Sequence, residues 1–285
     1  MSGPAATTSP QSSFVDLHSH STASDGASLP ADVVREAHRL GLAALALTDH
    51  DTTAGLVEAT EEGKRLGVRV VPGVELSAVE EDLETHILGL HLSDISPIDS
   101  KLTDLRDMRR NRAEKIVDLL NSTGVRITFE AVLEQAAGAA IGRPHVARAL
   151  IAEGWAVDLR DAFDRYLASG RPGYVTKERL TATDAIALIH RAGGLAVIAH
   201  PAHAGTRERI EALVNQGLDG IEVKHPSHSN EDVLRLSALV DHFELVPSGG
   251  SDWHGGPASQ RVLGIMRVPG EWLDRQDMRV QSKVA

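Results

Sequence analysis

Short apolar runs recur along the chain, and amphipathic segments separate most of them. Six of the runs are rich in Val, Ile, Leu and Ala, which is typical of strands buried on both faces. They cover residues 14–17, 43–47, 68–71, 195–199, 220–223 and 244–246. Within each half of the chain the runs start about 25 residues apart, the spacing of a strand followed by a helix. The pattern predicts an α/β fold with parallel strands and right-handed connections.

The segments between these strands have apolar residues at helical spacing. They predict helices over residues 30–40, 53–66, 181–192, 207–216 and 230–240. The repeat stops between about 95 and 180, where helical patterns alone occur, at residues 102–122, 129–137, 144–152 and 159–168. We therefore predict one discontinuous barrel domain from residues 14–95 and 181–270, with residues 96–180 as an all-helical insertion that caps the barrel mouth. Residues 1–13 are expected to be a disordered leader and residues 271–285 a C-terminal tail.

Composition and charge narrow the classes of function. Lys and Arg number 29 against 40 Asp and Glu, so the net charge of −11 disfavours binding to long nucleic acids. The leader lacks the basic start and apolar core of a signal peptide, and no apolar run approaches the roughly 18 residues of a membrane span. We therefore expect a cytoplasmic protein that does not bind membranes. The sequence does not indicate its oligomeric state.

Histidine is frequent and cysteine is absent. The chain has 14 histidines against 9 residues of Phe, Trp and Tyr together. Without cysteine, a metal ion must be bound through nitrogen and oxygen. Such donors suit Mn²⁺, Zn²⁺ or Fe²⁺, and the sequence does not distinguish them. Five isolated histidines are expected to have no chemical role: His38, His91, His190, His203 and His242.

Imidazoles and carboxylates follow nearly every predicted strand. They include His18, His20, His50, Glu75, His200, His225, Asp252 and His254, and a further strand over residues 85–90 adds His86 near its start. In a parallel barrel the carboxyl ends of the strands share one face, where active sites are built. His18 and His20 are two residues apart on an extended segment, so both side chains point to the same side and can share one metal. Glu75 can bridge two ions, and adjacent divalent ions imply hydrolysis, usually at phosphorus.

Six motifs in this order resemble those of the polymerase and histidinol phosphatase (PHP) family of metal-dependent phosphoesterases. They are DLHSHSTASDG, LTDHDT, PGVE, THILG, AHP and SDWH, and the resemblance runs from about Phe14 to Val268. It implies a distorted (β/α)₇ barrel with two or three divalent metal ions in its mouth. It also implies three ligand groups, namely His18, His20, Glu75 and Asp252 for the first ion, Glu75, His86 and His200 for the second, and Asp25, His50 and His254 for the third.

Within the family the chain is most similar to the stand-alone enzymes that dephosphorylate AMP and nucleoside 3′,5′-bisphosphates. The motifs GRPH at residues 142–145 and EVKHPSH at residues 222–228 carry this likeness. It implies a phosphoric monoester hydrolase that acts on a nucleotide through a metal-activated hydroxide, with Asp25, Arg143 and His225 as catalytic residues. Two alternatives stay open: a 5′→3′ exonuclease on short RNA, and a non-catalytic metal-binding module. Histidinol phosphatase is a weaker match in the insertion.

A phosphate ester also needs cations and hydrogen-bond donors on the oxygens that metals leave uncovered. Our candidate substrate contacts are Asp51, Asn111, Arg112, Arg143, Lys177, His225 and His228. The basic run at residues 109–112 is alternatively a solvated helix face paired with nearby acids. His225 either contacts the phosphate, donates a proton to the leaving oxygen, or only shapes the rim of the pocket. Asp51 either orders a metal ligand or binds a ribose hydroxyl.

Overall fold

The computed structural model describes residues 14–80, 83–136, 141–176, 180–256 and 261–284. The chain divides into two compact units. Residues 1–99 and 180–285 form the first unit, and residues 100–179 form the second. The first unit combines strands and helices, and the described part of the second is helical.

The first unit contains one sheet, which has eight strands among the described residues. The strands are β1 (Phe14–Asp16), β2 (Ala44–Leu47), β3 (Arg69–Glu80), β4 (Leu83–Leu90), β5 (Leu195–Ile198), β6 (Gly220–Lys224), β7 (Val246–Gly249) and β8 (Val268–Pro269). Their order is β7-β6-β5-β4-β3-β2-β1-β8. Beyond β1, the Leu17 amide donates to the Gly249 carbonyl at 3.0 Å and the Asp252 amide donates to the His18 carbonyl at 2.9 Å. These bonds bring β7 back to β1 and nearly close the sheet, which confirms the predicted distorted α/β barrel.

Strand β4 departs from the parallel arrangement. The six runs of the predicted series share one direction, but β4 is antiparallel to both β3 and β5. The cause is the length of β3, which continues past the predicted end at Val71 to Glu80 and pairs with β4 along its whole length. An antiparallel strand starts at the end where its parallel neighbours finish. The first half of β4 therefore lies at the carboxyl ends of the other strands.

Ten α-helices occur in the described ranges. They are α1 (Pro30–Arg39), α2 (Leu56–Leu66), α3 (Ser96–Ser122), α4 (Phe129–Ala136), α5 (Arg143–Ala152), α6 (Leu159–Ala162), α7 (Ala182–Arg191), α8 (Arg207–Asn215), α9 (Asn230–His242) and α10 (Gly270–Val284). Thr181, Thr206 and Ser229 cap α7, α8 and α9, because each hydroxyl accepts a hydrogen bond from a first-turn amide. None of these helices is long and apolar enough to cross a membrane.

Each unit has its own apolar core. In the first unit, one cluster joins the barrel strands to α10 through Leu273, with Trp272 packed against it. Residues 271–285, expected as a C-terminal tail, thus lie almost wholly in a helix, whose apolar side chains pack on the barrel. In the second unit, α3, α4 and α5 pack around Leu120, Val132 and Leu150. The helix expected over residues 159–168 is α6 followed by a π-helical turn, Phe163–Leu167.

Asp219 joins three elements at the amino end of β6. Its buried carboxylate accepts hydrogen bonds from the Ala196 amide at 2.9 Å, from His190 Nε2 at 2.7 Å and from Lys283 Nζ at 2.5 Å. Burial raises the pKa of Asp219, but the bonds from His190 and Lys283 outweigh it, so the pKa lies below its ordinary value. The ionised carboxylate therefore stabilises the junction of β5, α7 and α10.

We expect Asp219→Asn to lower the free energy of unfolding by about 1–3 kcal/mol at pH 7, because it weakens three hydrogen bonds to a buried group. A lowered pKa in the folded state stabilises the protein above the unfolded pKa, and this contribution is lost as pH falls. The difference between wild type and variant should therefore shrink below about pH 4. Urea unfolding at several pH values measures it. A difference that grows on acidification would contradict this assignment.

Candidate metal centre

The segment that directly follows β1 presents two imidazoles to the barrel mouth. His18, Ser19 and His20 stay extended, and Ser19 pairs with Trp253 in a parallel bridge. Ser19 points the other way, since its hydroxyl donates to the Ala46 carbonyl at 2.7 Å. Both histidines are fully buried. The alternation that the sequence predicts thus brings the two rings to one side, where their centroids lie 5.1 Å apart.

Four buried side chains meet around one point. His18 Nε2 lies 3.1 Å from both His20 Nε2 and Glu75 Oε2. His20 Nε2 lies 3.2 Å from Glu75 Oε2 and 3.0 Å from Asp252 Oδ1. Atoms bound at about 2.0–2.2 Å to one ion lie about 2.8–3.6 Å from their neighbours in octahedral or tetrahedral geometry. The spacing of these four ligand atoms therefore fits a single small divalent cation.

Glu75 turns its two oxygens to different histidines. Oε2 faces His18 and His20, whereas Oε1 lies 2.8 Å from His86 Nδ1 and 3.0 Å from His200 Nε2. His86 reaches this position because β4 is antiparallel. Burial raises the pKa of Glu75, but the charge of His18 and the surrounding hydrogen bonds outweigh it and hold the pKa well below its usual range. An ionised carboxylate with two occupied oxygens is suited to bridge two cations.

A third group is wider and more open to solvent. It consists of His20, Asp25, His50 and His254. Asp25 Oδ1 lies 3.3 Å from His254 Nε2 and 3.8 Å from His20 Nδ1, and the Asp25 side chain is 56% exposed. His20 Nδ1 is buried and has no hydrogen-bond partner among the described residues. Because His20 Nε2 faces the first group, Nδ1 of the neutral ring carries the proton, so a third ion would be held by Asp25, His50 and His254. This donor set also fits a metal.

The backbone around these ligands is locally strained. Asp51, His200 and Asp252 have φ angles of 48°, 30° and 49°, in the left-handed region that side chains other than glycine rarely adopt. Such conformations are concentrated at functional sites. Gly250 is needed for a different reason, because a Cβ there would lie 2.4 Å from the His18 amide nitrogen. The close approach of the segment after β7 to His18 is what brings Asp252 into the cluster.

Three residues near the cluster escaped the sequence prediction. The Asp49 carboxylate accepts hydrogen bonds from the Ser21 amide and the Ser24 hydroxyl, both at 2.7 Å, and so holds the loop that carries Asp25. Arg261 donates to the Asp252 carbonyl at 3.0 Å and also contacts its carboxylate. Glu222 lies fully buried next to His18. Asp49 lies in the motif LTDHDT and Glu222 in the motif EVKHPSH, so the sequence did offer a signal for these two residues. No sequence pattern marks Arg261.

The predicted contacts of the first unit are held by the protein itself. The Asp51 carboxylate accepts the Ser77 amide at 2.9 Å. His225 Nδ1 accepts the Ser227 amide at 3.1 Å, and its Nε2 lies 3.3 Å from Asp252 Oδ2. Both nitrogens of His228 are engaged, since Nδ1 donates to the Val223 carbonyl and Nε2 accepts the Ala202 amide. His228 therefore stabilises the loop geometry.

The predicted contacts of the second unit are placed as follows. Arg143 lies over the rings of Phe163 and Tyr174, 5.7 and 5.9 Å from their centroids, and donates to the Leu167 carbonyl at 3.3 Å. Arg112 donates twice to the Val175 carbonyl, and Asn111 is exposed on α3. Lys177 lies outside the described residues.

Comparison with known proteins identifies related sequences. The model of the PHP domain matches residues 16–168. The 5′-3′ exoribonuclease Rnm of Escherichia coli is 38% identical, and the match covers 84% of each chain. The 3′,5′-nucleoside bisphosphate phosphatase of Chromobacterium violaceum is 37% identical over 88% of this chain and 90% of the relative. A phosphoribosyl 1,2-cyclic phosphate 1,2-diphosphodiesterase from Eggerthella lenta is 37% identical over 89% and 98%.

A solved structure is also similar along nearly the whole chain. It comes from Bifidobacterium adolescentis and was proposed to be a metal-dependent phosphoesterase. Its sequence is 33% identical, its TM-score is 0.67, and the match covers 93% of this chain and 96% of that one. The sequence and structure comparisons thus agree over most of the chain's length.

We expect Mn²⁺ to raise the melting temperature of protein prepared without metal, because an ion that binds only the folded state stabilises it by about 2.7 kcal/mol at 100 times its Kd. Glu75→Gln should abolish most of this gain, since Glu75 contacts two ligand groups. Glu62→Gln, a carboxylate paired with Arg35 and Arg65 outside the cluster, is the control. An equal gain in wild type and Glu75→Gln would show that the metal binds elsewhere.

Proposed function

Because the chain belongs to the PHP domain family, we propose that it is an enzyme that hydrolyses the phosphate monoester of a nucleotide. Hydrolysis of a phosphate ester is the chemistry that the names of the three curated relatives share. The observation that carries the proposal is the convergence of imidazoles and carboxylates on the two oxygens of Glu75. A nucleoside monophosphate or a nucleoside 3′,5′-bisphosphate is the proposed substrate.

Two or three divalent ions, Mn²⁺, Zn²⁺ or Fe²⁺, are the proposed cofactors. Nine residues would hold them: His18, His20, Asp25, His50, Glu75, His86, His200, Asp252 and His254. When bound, such ions activate water for attack and stabilise the charge that develops on phosphate oxygens. The nine side chains converge on one face of the first unit, which argues against the non-catalytic alternative.

We assign proton transfer to two side chains of the first unit. Hydrolysis forms a bond from the water oxygen to phosphorus, breaks the ester bond, and delivers a proton to the leaving oxygen. Asp25 is the most exposed carboxylate of the three ligand groups, so it can accept the proton of the attacking water. His225 Nδ1 lies 3.1 Å from the Ser227 amide nitrogen and 2.7 Å from the Ser227 hydroxyl. When Nδ1 accepts from both, the ring proton lies on Nε2, from which it can be donated to the leaving oxygen.

Arg112, Arg143 and Lys177 remain predicted phosphate contacts. The argument for Arg143 is that two aromatic rings hold its guanidinium in place. Less entropy is then lost when this planar group binds phosphate oxygens. Arg261 is a further cation near the proposed substrate, since it contacts the carboxylate of Asp252 in the first ligand group.

We expect His18→Ala and Asp252→Ala to lower kcat/KM for nucleotide hydrolysis about 10³-fold or more, because each removes a ligand of the central group. His38→Ala, an exposed position on α1, is the matched control and should keep wild-type activity. Phosphate release under saturating Mn²⁺ measures the effect. Undiminished activity in both ligand variants would place the active site elsewhere.

The exoribonuclease is the second candidate, because the Escherichia coli relative carries that name at 38% identity. We expect faster hydrolysis of a nucleoside monophosphate and a 3′,5′-bisphosphate than of a short 5′-phosphorylated RNA. The reason is the net charge of −11, which repels a polyanion more than a mononucleotide. Initial rates on the three substrates distinguish the nucleotide phosphatase from the exoribonuclease. A clear preference for the RNA would favour the exoribonuclease.

Arg143→Ala should raise KM for the nucleotide about 10- to 100-fold, because a hydrogen bond to a charged phosphate contributes about 1.5–3 kcal/mol. Affinity for Mn²⁺ should not change. Arg148→Ala is the matched control, since Arg148 is exposed on the same helix, α5. Equal KM values for the two variants would remove Arg143 from the substrate site.

A further inference from the structure

Glu222 is a buried carboxylate that touches two of the nine proposed ligands and is not itself one of the nine; it also lies in a further buried group with His18 and His225. It lies in β6, its side chain has no solvent exposure, and both oxygens accept hydrogen bonds. Oε1 lies 3.0 Å from His18 Nδ1, and Oε2 accepts the His200 amide at 2.7 Å. A buried carboxylate is retained only with such partners. Its two bonds therefore constrain His18 and His200 together.

The bond to His18 determines which ring nitrogen carries the proton. An ionised carboxylate can only accept, so His18 must donate through Nδ1. In the neutral ring this leaves the lone pair on Nε2. Nε2 is the atom that faces His20 and Glu75, at 3.1 Å from each. A metal ligand has to offer a lone pair, so this tautomer is the one that can bind an ion.

The bond to His200 supports a strained backbone. His200 has a φ of 30°, and its amide is directed to Glu222 Oε2. Its ring Nε2 lies 3.0 Å from Glu75 Oε1, whereas His18 contacts the other oxygen, Oε2. One carboxylate thus orients a ligand of the first group through its ring and a ligand of the second group through its main chain.

We propose that Glu222 is a positioning residue that fixes the His18 tautomer with a free Nε2 and thereby sets the affinity for divalent metal at both ligand groups. The proposal rests on the proposed metal-dependent function. Glutamine is the sharpest replacement, because it has the same size but offers one acceptor and one donor. It cannot accept from both His18 and the His200 amide. Either its NH2 faces the His200 amide, donor against donor, or its NH2 faces His18, whose Nδ1 must then accept and whose proton moves to Nε2.

We expect Glu222→Gln to weaken Mn²⁺ binding about 10- to 100-fold, as is typical when the partner of a ligating histidine is lost. Calorimetric titration of metal-free protein measures it. Asp219→Asn is the matched control: Asp219 is also buried, also accepts a main-chain amide and a histidine, and lies just before β6. It should lower stability and leave Mn²⁺ affinity unchanged. Equal Mn²⁺ affinity in Glu222→Gln and wild type would overturn the proposal.

The wild-type part of a second measurement does not depend on how the variant folds. At a pH where the His18 ring of metal-free protein carries a single proton, its ¹⁵N chemical shifts distinguish a proton on Nδ1 from one on Nε2. We expect Nδ1–H in wild type and a shift towards Nε2–H in Glu222→Gln, which a merely structural role would not produce. A wild-type proton on Nε2 would overturn the proposal. If Mn²⁺ binding and the tautomer behave as expected but no phosphate ester is hydrolysed, the proposed function fails and the role of Glu222 stands.

Discussion

The burial of the Glu75 carboxylate is the constraint on which the barrel mouth depends. A buried carboxylate is stable only if positive charge or hydrogen-bond donors surround it, and in this fold imidazoles provide them. Those imidazoles come from β4 and from the segments after β1, β2 and β5, so several elements have to meet at one place. The tight contact at Gly250 and the left-handed backbone at Asp252 follow from this requirement. Local strain at the mouth is compensated by the apolar cores beneath it.

The reversal of β4 shows how topology and chemistry are linked. A parallel strand in its place would carry His86 away from the carboxyl ends of its neighbours. Because β3 and β4 form a long antiparallel ladder, His86 lies opposite Ser77 and reaches Glu75. The barrel therefore gains a candidate ligand from the first half of an antiparallel strand. Glu75 lies within β3, and the other candidate ligands follow the ends of β1, β2, β5 and β7.

Much of the fold and of the ligand set was predictable because both depend on local patterns. Apolar runs at regular spacing give the strands, and paired residues such as His18 and His20 share a side by simple alternation. The direction of β4 was not predictable, since it depends on where β3 ends, and β3 extends beyond its apolar run. Glu222 and Arg261 were missed for a related reason. Their roles depend on the partners that the fold brings to them, His18 for Glu222 and Asp252 for Arg261, and the local sequence does not identify these partners.

The hydrogen-bonded pair β4 and β5 has a consequence for how the chain tolerates its second unit. Leu90 pairs with Leu195, so residues 91–194 form a loop between adjacent strands. Closing a loop of about 100 residues costs only about 2 kcal/mol more than closing one of ten, because the entropy lost grows with the logarithm of length. The second unit has an apolar core of its own, around Leu120 and Leu150, and the free energy gained by burying it offsets the entropy cost of closing the loop. The barrel can therefore carry an entire folded unit between two antiparallel strands, a pair that a short hairpin turn could also join.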